Sequence, residues 1–170
     1  MSSKTKSRDH EIIISPIGRV RKTSEYQGCL EIKRPFRKAL KELDGFSHIN
    51  VFWWCHLSDN ENHRKVLACD KPYRKAPDSV GVFATRSERR PNPVALTVVP
   101  VLNIDHEGGV IDIPFIDAKD NSPIIDIKPY HPATDRVKEV SVPGWCDHWP
   151  QWYEDSARFD WESEFVTPGG

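Results

Sequence analysis

The sequence lacks most of the patterns that assign a protein to a function class directly. Its four cysteines are scattered without CxxC spacing, and no His, Cys and Asp residues cluster as metal ligands do, so we expect no metal site. There is no glycine-rich dinucleotide loop and no alternation of strands with helices, which argues against a Rossmann-type domain. No serine or cysteine triad stands out either.

Long apolar runs are also missing. None approaches the roughly 18 residues that a transmembrane helix needs, and the first residues do not resemble a signal peptide. We therefore expect a cytoplasmic protein with reduced thiols and no membrane attachment. An apolar share of 38% with six tryptophans in 170 residues is compatible with a folded protein, most of it one domain.

The net charge is only −1, but the charges are segregated along the chain. Residues 64–90 hold eight basic side chains against three acids, whereas the chain from Glu139 onward holds seven acids against Arg158 alone. The near-neutral total argues against a protein that coats polyanions without selectivity. If an anionic partner binds, the basic middle is the surface that suits it.

Residues 81–93, with the sequence GVFATRSERRPNP, organise the rest of the chain. An apolar strand over residues 80–84 leads into Arg86, Arg89 and Arg90 and then a Pro-Asn-Pro turn. Proline fixes its own φ and biases the preceding residue towards extended backbone, so this loop is stiff beside its cations. Such a loop suits recognition of phosphate, carboxylate or an aromatic face, although a solvated hairpin tip has the same composition.

Further apolar, β-branched stretches bring the total to seven or so short strands. The segment Ile49–His56 is almost entirely apolar or aromatic and is the best candidate for a central strand. The spacing of strands and turns favours an all-β fold, a small antiparallel β-barrel of about seven strands with one or two peripheral helices. The other predicted strands are residues 12–20, 30–32, 66–69, 94–102, 110–117 and 124–127.

Helices are predicted at two places. Apolar residues at three- and four-residue steps predict one over residues 35–43, and Asp147 with Pro150 can begin another near the C-terminus. We expect a flexible N-terminus over residues 1–10, the barrel domain over 11–140, and a tryptophan-rich acidic tail over 141–170. Docking of this tail on the barrel is favoured over a lid or a dimer contact.

Three polar turns follow predicted strands and would form a mixed-charge pocket if they met at one end of the barrel. Arg86 can hold an anionic group, and Asp117 or Asp120 can accept from an amine or a ribose hydroxyl. His56 can be a base, a donor to a ligand or a surface residue. The residues alone lead no further than a barrel with a polar pocket.

The segment 81–93 closely resembles the signature of the TsaA-like, or TrmO-type, methyltransferases, which commonly reads GVFATRSPxRPNP. The chain has Glu88 where proline is common. Residues 43–48 (LDGFSH) resemble the family's L-x-G-F-S-H, and residues 126–130 (DIKPY) match its D-I-K-P-Y. With Ile17-Gly18 near the start, the four motifs occur in the family's order over about residues 11–132.

The resemblance implies a small β-barrel enzyme that uses S-adenosylmethionine, forms a homodimer, and methylates the exocyclic nitrogen of threonylcarbamoyl-adenosine beside the tRNA anticodon. His56, Asp117 and Asp120 are candidate bases, in no order. For the tRNA we expect Arg89, Arg90, Asn92, Lys128 and Tyr130 to contribute. Matched positions imply cofactor contacts from Tyr26, Gln27, Gly28, His56, Leu57, Arg86, Leu96, Asp117, Asp120, Asn121, Ser122 and Pro123.

Two differences between this chain and larger members of the family leave the identity of the substrate open. The chain lacks the C-terminal extension of larger family members, and its acidic tail is a poor partner for RNA phosphates. One alternative keeps the cofactor but uses a small molecule or another RNA as methyl acceptor. The other alternative is a non-catalytic barrel that binds RNA or a metabolite.

Overall fold

The computed structural model describes residues 12–24 and 27–166. The expectations for residues 1–10, for Tyr26 and for the last four residues of the tail fall outside these ranges. The strands are β1 (Gly18–Lys22), β2 (Gly28–Ile32), β3 (His48–Trp54), β4 (Ala68–Asp70), β5 (Ser79–Gly81), β6 (Val94–Pro100), β7 (Asn103–Asp105), β8 (Val110–Ile113) and β9 (Pro123–Pro129). The α-helices are α1 (Glu61–Arg64), α2 (Pro132–Asp135) and α3 (Trp161–Glu164), and 3₁₀ helices span Arg34–Leu40, Leu43–Gly45, Val82–Ala84 and Tyr153–Arg158.

Seven strands form one sheet in the order β6-β3-β9-β1-β2-β8-β7, and every neighbouring pair is antiparallel. Strand β3 lies between β6 and β9, with Trp54 opposite Val94 and Trp53 opposite Ile124. The C-terminal end of β3 therefore meets the N-terminal ends of β6 and β9. Strands β4 and β5 form a separate hairpin.

The sheet is strongly curled, but it does not close into the predicted barrel. Only Val101 and Leu102 separate β6 from β7, although these strands occupy opposite edges of the sheet. Six strand spacings of about 4.8 Å would put the edges of a flat sheet about 29 Å apart, whereas three residue steps span at most about 11 Å. The two edges thus approach at this corner, yet no ladder pairs β6 with β7 in the described chain. The mostly β fold is confirmed, and closure is not.

One face of the curled sheet forms the main core. Along β3 the side chains of Ile49, Val51 and Trp53 are buried at alternate positions, as the period of a strand requires. Leu30 from β2 and Ile124 from β9 are fully buried in the same cluster. This core fixes the strand ends at which the polar turns begin.

The predicted helices differ from the observed ones. Residues Arg34–Leu40 form a 3₁₀ helix in which Leu40 is buried, while Phe36 is 37% exposed. A 3₁₀ helix has three residues per turn, so a pattern spaced for an α-helix does not line up along one face. The helix predicted from Asp147 is absent, and Tyr153–Arg158 forms a 3₁₀ helix instead.

A second, smaller core lies outside the sheet. Tyr73, Ala76 and Val80 are buried there, with Trp145 and Trp149 packed against them. We call residues 145–165 the C-terminal aromatic segment. Within the described ranges, no helix is long and apolar enough to cross a membrane, and all four cysteines are free thiols.

Candidate functional site

An open cleft of about 220 Å³ lies where β3 ends and β6 and β9 begin. The strand order brings these three ends together, because each neighbour of β3 runs antiparallel to it. The cleft therefore collects side chains from three distant parts of the sequence. Its lining residues are Trp53, Cys55, His56, Leu57, Arg86, Glu88, Ala95, Asp117, Lys119 and Ser122.

His56 follows β3 and is held by neighbours on two sides. Its backbone N–H donates to the carbonyl of Trp54 at 2.8 Å. Its ring Nδ1 lies 3.3 Å from the hydroxyl oxygen of Ser122, which is only 1% exposed. The buried serine fixes the orientation of the half-buried imidazole at the wall of the cleft.

The arginine loop, residues 85–93, places its three guanidinium groups differently. Arg90 donates to the carbonyls of Thr85 and Ser87 at 3.3 and 3.4 Å and so holds the loop together. Arg86 donates from Nη1 to the carbonyl of Leu96 at 3.2 Å and lines the cleft. Arg89 is exposed. Arg86 is thus the arginine that this loop presents to the cleft.

Asp120, a candidate base, is part of the turn rather than of the cleft wall. Its Oδ1 accepts the backbone N–H of Lys22 at 3.0 Å, and its Oδ2 faces Arg21 at 3.5 Å and accepts from Asn121 at 2.8 Å. The Lys22 hydrogen bond holds the pKa of Asp120 below its usual range. Asn121 occupies the left-handed region with φ of 62°, as asparagine tolerates.

Asp117 has the opposite environment. Its carboxylate reaches solvent through the open mouth of the cleft, but the surrounding walls remove much of its hydration. This burial raises the pKa of Asp117, and the negative charge of Glu88 adds to the increase, while Lys22, Arg86 and Lys119 oppose it. Of the two aspartates, Asp117 has the environment expected of an acid–base group.

Other predicted residues lie away from the cleft lining. Gln27 and Gly28 belong to the β1–β2 hairpin, where Gly28 pairs with Lys22. Lys128 and Tyr130 lie at the far end of β9, about 20 Å along the strand from Ser122. Lys128 pairs with Asp126 at 2.9 Å, and Tyr130 packs edge-on against His48. Neither Lys128 nor Tyr130 lines the cleft.

Sequence reasoning missed five of the lining residues. Trp53 and Cys55 alternate on the same face of the chain as it leaves β3, a period-two signal that was available. Burial raises the pKa of the Cys55 thiol to about 11, so it stays protonated and is a poor nucleophile. Lys119 lies in the polar turn that begins at Asp117, but the direction of its side chain was not predictable. The other two residues are Glu88 and Ala95.

The cleft combines groups that suit a zwitterionic ligand with an apolar body. Arg86 and Lys119 supply cations, Glu88 and Asp117 supply carboxylates, and Trp53 supplies an aromatic wall. Within the described ranges, no group of three His, Cys, Asp or Glu residues is placed to hold a metal ion. The fold and cleft define a small antiparallel β protein with a mixed-charge ligand site at its strand ends.

Comparison with known proteins gives the family. The family model described as the tRNA-methyltransferase O N-terminal domain matches residues 15–136, so the chain belongs to this TrmO family. The resemblance predicted from the sequence is confirmed. The C-terminal aromatic segment lies beyond the matched residues.

Relatives differ widely in length. A probable S-adenosyl-L-methionine-binding protein of Methanothermobacter thermautotrophicus is 35% identical over 142 residues, which cover 76% of this chain and 97% of the relative. The human tRNA (adenine(37)-N6)-methyltransferase is 35% identical over 118 residues, covering 69% of this chain but only 26% of the human protein. The crystal structure of TrmO from Pseudomonas aeruginosa is similar with a TM-score of 0.59 and 27% identity, covering 78% of this chain and 62% of that one.

Proposed function

We propose that this chain is an S-adenosylmethionine-dependent methyltransferase whose acceptor is an adenine N6 nitrogen of tRNA. The observation that carries the proposal is the meeting of His56, Arg86 and Asp117 in one cleft. The names of the relatives support it, since they include S-adenosyl-L-methionine-binding proteins and tRNA (adenine(37)-N6)-methyltransferases. The chain spans about a quarter of the length of the human enzyme.

The cleft residues fit the cofactor. Arg86 uses one N–H group on Leu96, which leaves others for a carboxylate. Glu88, the other carboxylate of the lining, can accept from the ammonium group on the opposite side. Trp53 and Leu57 offer apolar surface to an adenine ring, and Leu57 is 70% exposed in the free protein. Cation, carboxylate and apolar surface are the three features that this cofactor requires.

S-adenosylmethionine supplies a methyl group that its sulfonium already activates. The protein therefore has to align the acceptor nitrogen, exclude water and accept one proton. The acceptor nitrogen forms the new bond to the methyl carbon, the electrons of the broken sulfur–carbon bond stay on sulfur, and the nitrogen releases a proton. We propose that Asp117 takes this proton. Asp120 is less suited to this role, because its two carboxylate oxygens accept hydrogen bonds from Lys22 and Asn121. We propose that His56 orients the acceptor.

The second cation in the cleft, Lys119, supports threonylcarbamoyl-adenosine as the substrate. Cofactor and threonylcarbamoyl-adenosine each carry one carboxylate, and the cleft lining contains two cations, Arg86 and Lys119. We propose that Arg86 binds the cofactor carboxylate and that Lys119 binds the carboxylate of the threonylcarbamoyl group.

The arginine loop also offers a surface for RNA beside the cleft. Phe83 is 79% exposed, and the guanidinium of Arg90 lies 6.0 Å from its ring centre. An exposed aromatic face next to cations is typical of surfaces that stack single-stranded bases. Arg89 and Asn92, both exposed on the arginine loop, would contact the adjoining phosphates and sugars.

Calorimetric titration with S-adenosylmethionine, followed by methyl transfer to tRNA with and without the threonylcarbamoyl group, tests the proposal. We expect cofactor binding, and transfer to the modified tRNA only. In Lys119→Ala, transfer to the modified tRNA should fall, while cofactor affinity stays unchanged; Lys119→Arg is the matched control. Binding without transfer to either tRNA would overturn the tRNA assignment and favour another acceptor. No binding by the folded protein would overturn the methyltransferase itself.

Homodimer formation stays a prediction. An apolar groove lined by Ile17, Phe36 and Leu43 also includes Asp126, Ile127 and Pro129 of β9. Sedimentation equilibrium of the full chain measures the association directly. A monomer at micromolar concentration would contradict the prediction without affecting the cleft.

A further inference from the structure

The chain between β3 and α1 begins with a turn that presents two residues to the cleft. We call residues 54–59 the His56 turn. Within it, the backbone N–H of His56 donates to the carbonyl of Trp54 at 2.8 Å. His56 and Leu57, which follow Cys55 along the turn, both line the cleft. The placement of these two side chains therefore depends on how the turn is fixed.

Asp59 closes the His56 turn with its side chain. Its Oδ2 accepts the indole N–H of Trp54, the last residue of β3, at 2.9 Å. This hydrogen bond joins the first and the last residue of the turn. It limits the conformations that are open to the residues between them, and so it favours the single arrangement in which they face the cleft.

Arg64, the last residue of α1, pairs with the same carboxylate. Its Nε donates to Oδ1 of Asp59 at 2.5 Å, and its Nη2 donates to Oδ2 at 3.1 Å. Its Cζ atom also lies 5.5 Å from the centre of the Trp54 ring, within the range of a cation–π contact. A bidentate pair has a more closely defined geometry than a single hydrogen bond. The pair with Arg64 holds the pKa of Asp59 below its usual range, so the carboxylate is charged at neutral pH.

The arginine loop is joined to this arrangement at two places. The backbone N–H of Cys55 donates to the carbonyl of Pro93 at 2.8 Å. Two residues earlier in the loop, the carbonyl of Pro91 accepts from Nη1 of Arg64 at 3.4 Å. Arg64 thus uses two of its nitrogens on Asp59 and the third on the arginine loop. Its guanidinium bridges the carboxylate of the His56 turn and a carbonyl of the loop.

We propose that Asp59 is a positioning residue that, through Arg64, holds the His56 turn against the arginine loop. Neither Asp59 nor Arg64 lines the cleft, so both act through residues that do. The turn carries His56 and Leu57, and the loop carries Arg86, so one carboxylate supports the side chains that bind cofactor and acceptor. This role rests on the functions proposed above for those three side chains.

Asp59→Ala tests the proposal, because it removes the carboxylate that the contacts share. We expect the Kd for S-adenosylmethionine to rise and kcat to fall, each about three- to thirtyfold, since a small misplacement of site residues can cost up to about 100-fold. Glu31→Ala is the matched control: Glu31 pairs with Arg19 at 2.6 Å on the β1–β2 hairpin, outside the cleft lining, and its loss should change neither quantity. Lower global stability alone would not alter the affinity of a sample that is folded at the assay temperature.

Arg64 and Asp59 should act as one unit. Arg64→Ala is expected to reproduce the losses of Asp59→Ala, and the double variant should be no worse than either single variant. Arg64→Lys keeps the charge but loses the planar fork of donors, so it should restore only part of the activity that Arg64→Ala loses. Additive losses in the double variant would overturn the shared role.

Amide hydrogen exchange of the free protein separates this proposal from the proposed function. The backbone N–H groups of His56 and Ser58 donate to carbonyls of the same turn at 2.8 and 2.9 Å. Both should exchange faster in Asp59→Ala and at the wild-type rate in Glu31→Ala. Unchanged exchange in Asp59→Ala would overturn the positioning role, whatever the cofactor does. Faster exchange with unchanged affinity and kcat would overturn its link to the site, and failure of the wild type to bind S-adenosylmethionine would count against the proposed function alone.

Discussion

The hydroxyl oxygen of Ser122 lies 3.3 Å from Nδ1 of His56, although 66 residues separate the two in the sequence. The contact joins the start of β9 to the end of β3 and fixes the imidazole at the cleft wall. The sequence around either residue alone does not predict this contact. The pairing of β3 with β9 creates it.

Ser122→Ala is expected to lower kcat about two- to tenfold, because the imidazole loses one neutral hydrogen bond that orients it. The KM for S-adenosylmethionine should change little, since Arg86 stays in place. Steady-state kinetics with saturating cofactor measure the effect. Ser58→Ala, at another buried serine outside the cleft lining, is the control and should leave kcat unchanged. Equal losses in both variants would contradict a specific role for Ser122.

Two arginines of one loop should separate cofactor binding from RNA binding. Arg86→Ala is expected to weaken S-adenosylmethionine binding about 10- to 100-fold, the range for a lost charge-assisted hydrogen bond. Arg89→Ala removes the same charge from a position outside the cleft lining and should leave that affinity unchanged. Instead, its RNA binding should become less dependent on salt, as expected when one phosphate contact is lost. Calorimetry and salt titrations measure the two effects; equal cofactor losses would disprove the separation.

The pH dependence of methyl transfer should follow the deprotonation of Asp117. A base works in its deprotonated form, so activity should rise with pH through a midpoint above the ordinary 3.8, because burial raises the pKa of Asp117. Glu88→Gln removes a negative neighbour and should move this midpoint to lower pH. Asp117→Asn should remove this midpoint and lower kcat about 10²- to 10⁴-fold. An unchanged profile in Asp117→Asn would reassign the base to His56.

Loss of stability does not explain the expected loss in Asp117→Asn. A carboxyl group whose pKa is raised on folding contributes stability that is present at low pH and lost as the pH rises through the folded value. Asparagine carries no charge to desolvate, so the variant should be at least as stable as the wild type at neutral pH. Thermal unfolding at pH 7 checks this point.

The buried Glu164 should make the C-terminal aromatic segment sensitive to acid. Burial alone would raise the pKa of Glu164, but the contacts with His148 and Trp149 and the positive charge of Lys75 together outweigh it and hold the pKa below the ordinary 4.5. Its stabilising contribution is therefore present above pH 4.5 and is lost as the pH falls through the lower folded value. Glu164→Gln should lose about 1–3 kcal/mol at neutral pH. The difference from wild type should shrink in acid, and Glu162→Gln, exposed on the same helix, should show neither effect.

Truncation of a buried side chain of the main core next to the cleft should be strongly destabilising. Ile124 is fully buried beside β1 and β3, and Ile124→Ala should cost about 2–5 kcal/mol of unfolding free energy through lost contacts and a cavity. Val140 is 70% exposed, and Val140→Ala should stay within about 0.5 kcal/mol. Chemical denaturation of both variants measures the contrast. A small cost at Ile124 would mean that the strand ends around the cleft can repack.

Much of the fold and part of the cleft could be predicted from local patterns. The predicted strands at residues 49–56 and 94–102 overlap β3 (His48–Trp54) and β6 (Val94–Pro100), because alternation and β-branched residues indicate burial directly. The 3₁₀ form of Arg34–Leu40 was not predictable, since the apolar residues of that segment have the spacing of an α-helix. The three polar turns were recognised as candidates, but Glu88 and Lys119 were missed because a loop sequence does not fix side-chain direction.

The sequence by itself determined the family, the strand-rich fold and the identity of the arginine loop, because motif order and hydrophobic periodicity are properties of neighbouring residues. Tertiary structure alone decided which polar groups share a cleft. Long-range strand pairing brings His56 to Ser122, turns Asp117 into the cleft and Asp120 into its own turn, and sends Lys128 to the far end of β9. Such choices depend on partners that lie tens of residues away, and no local pattern encodes them.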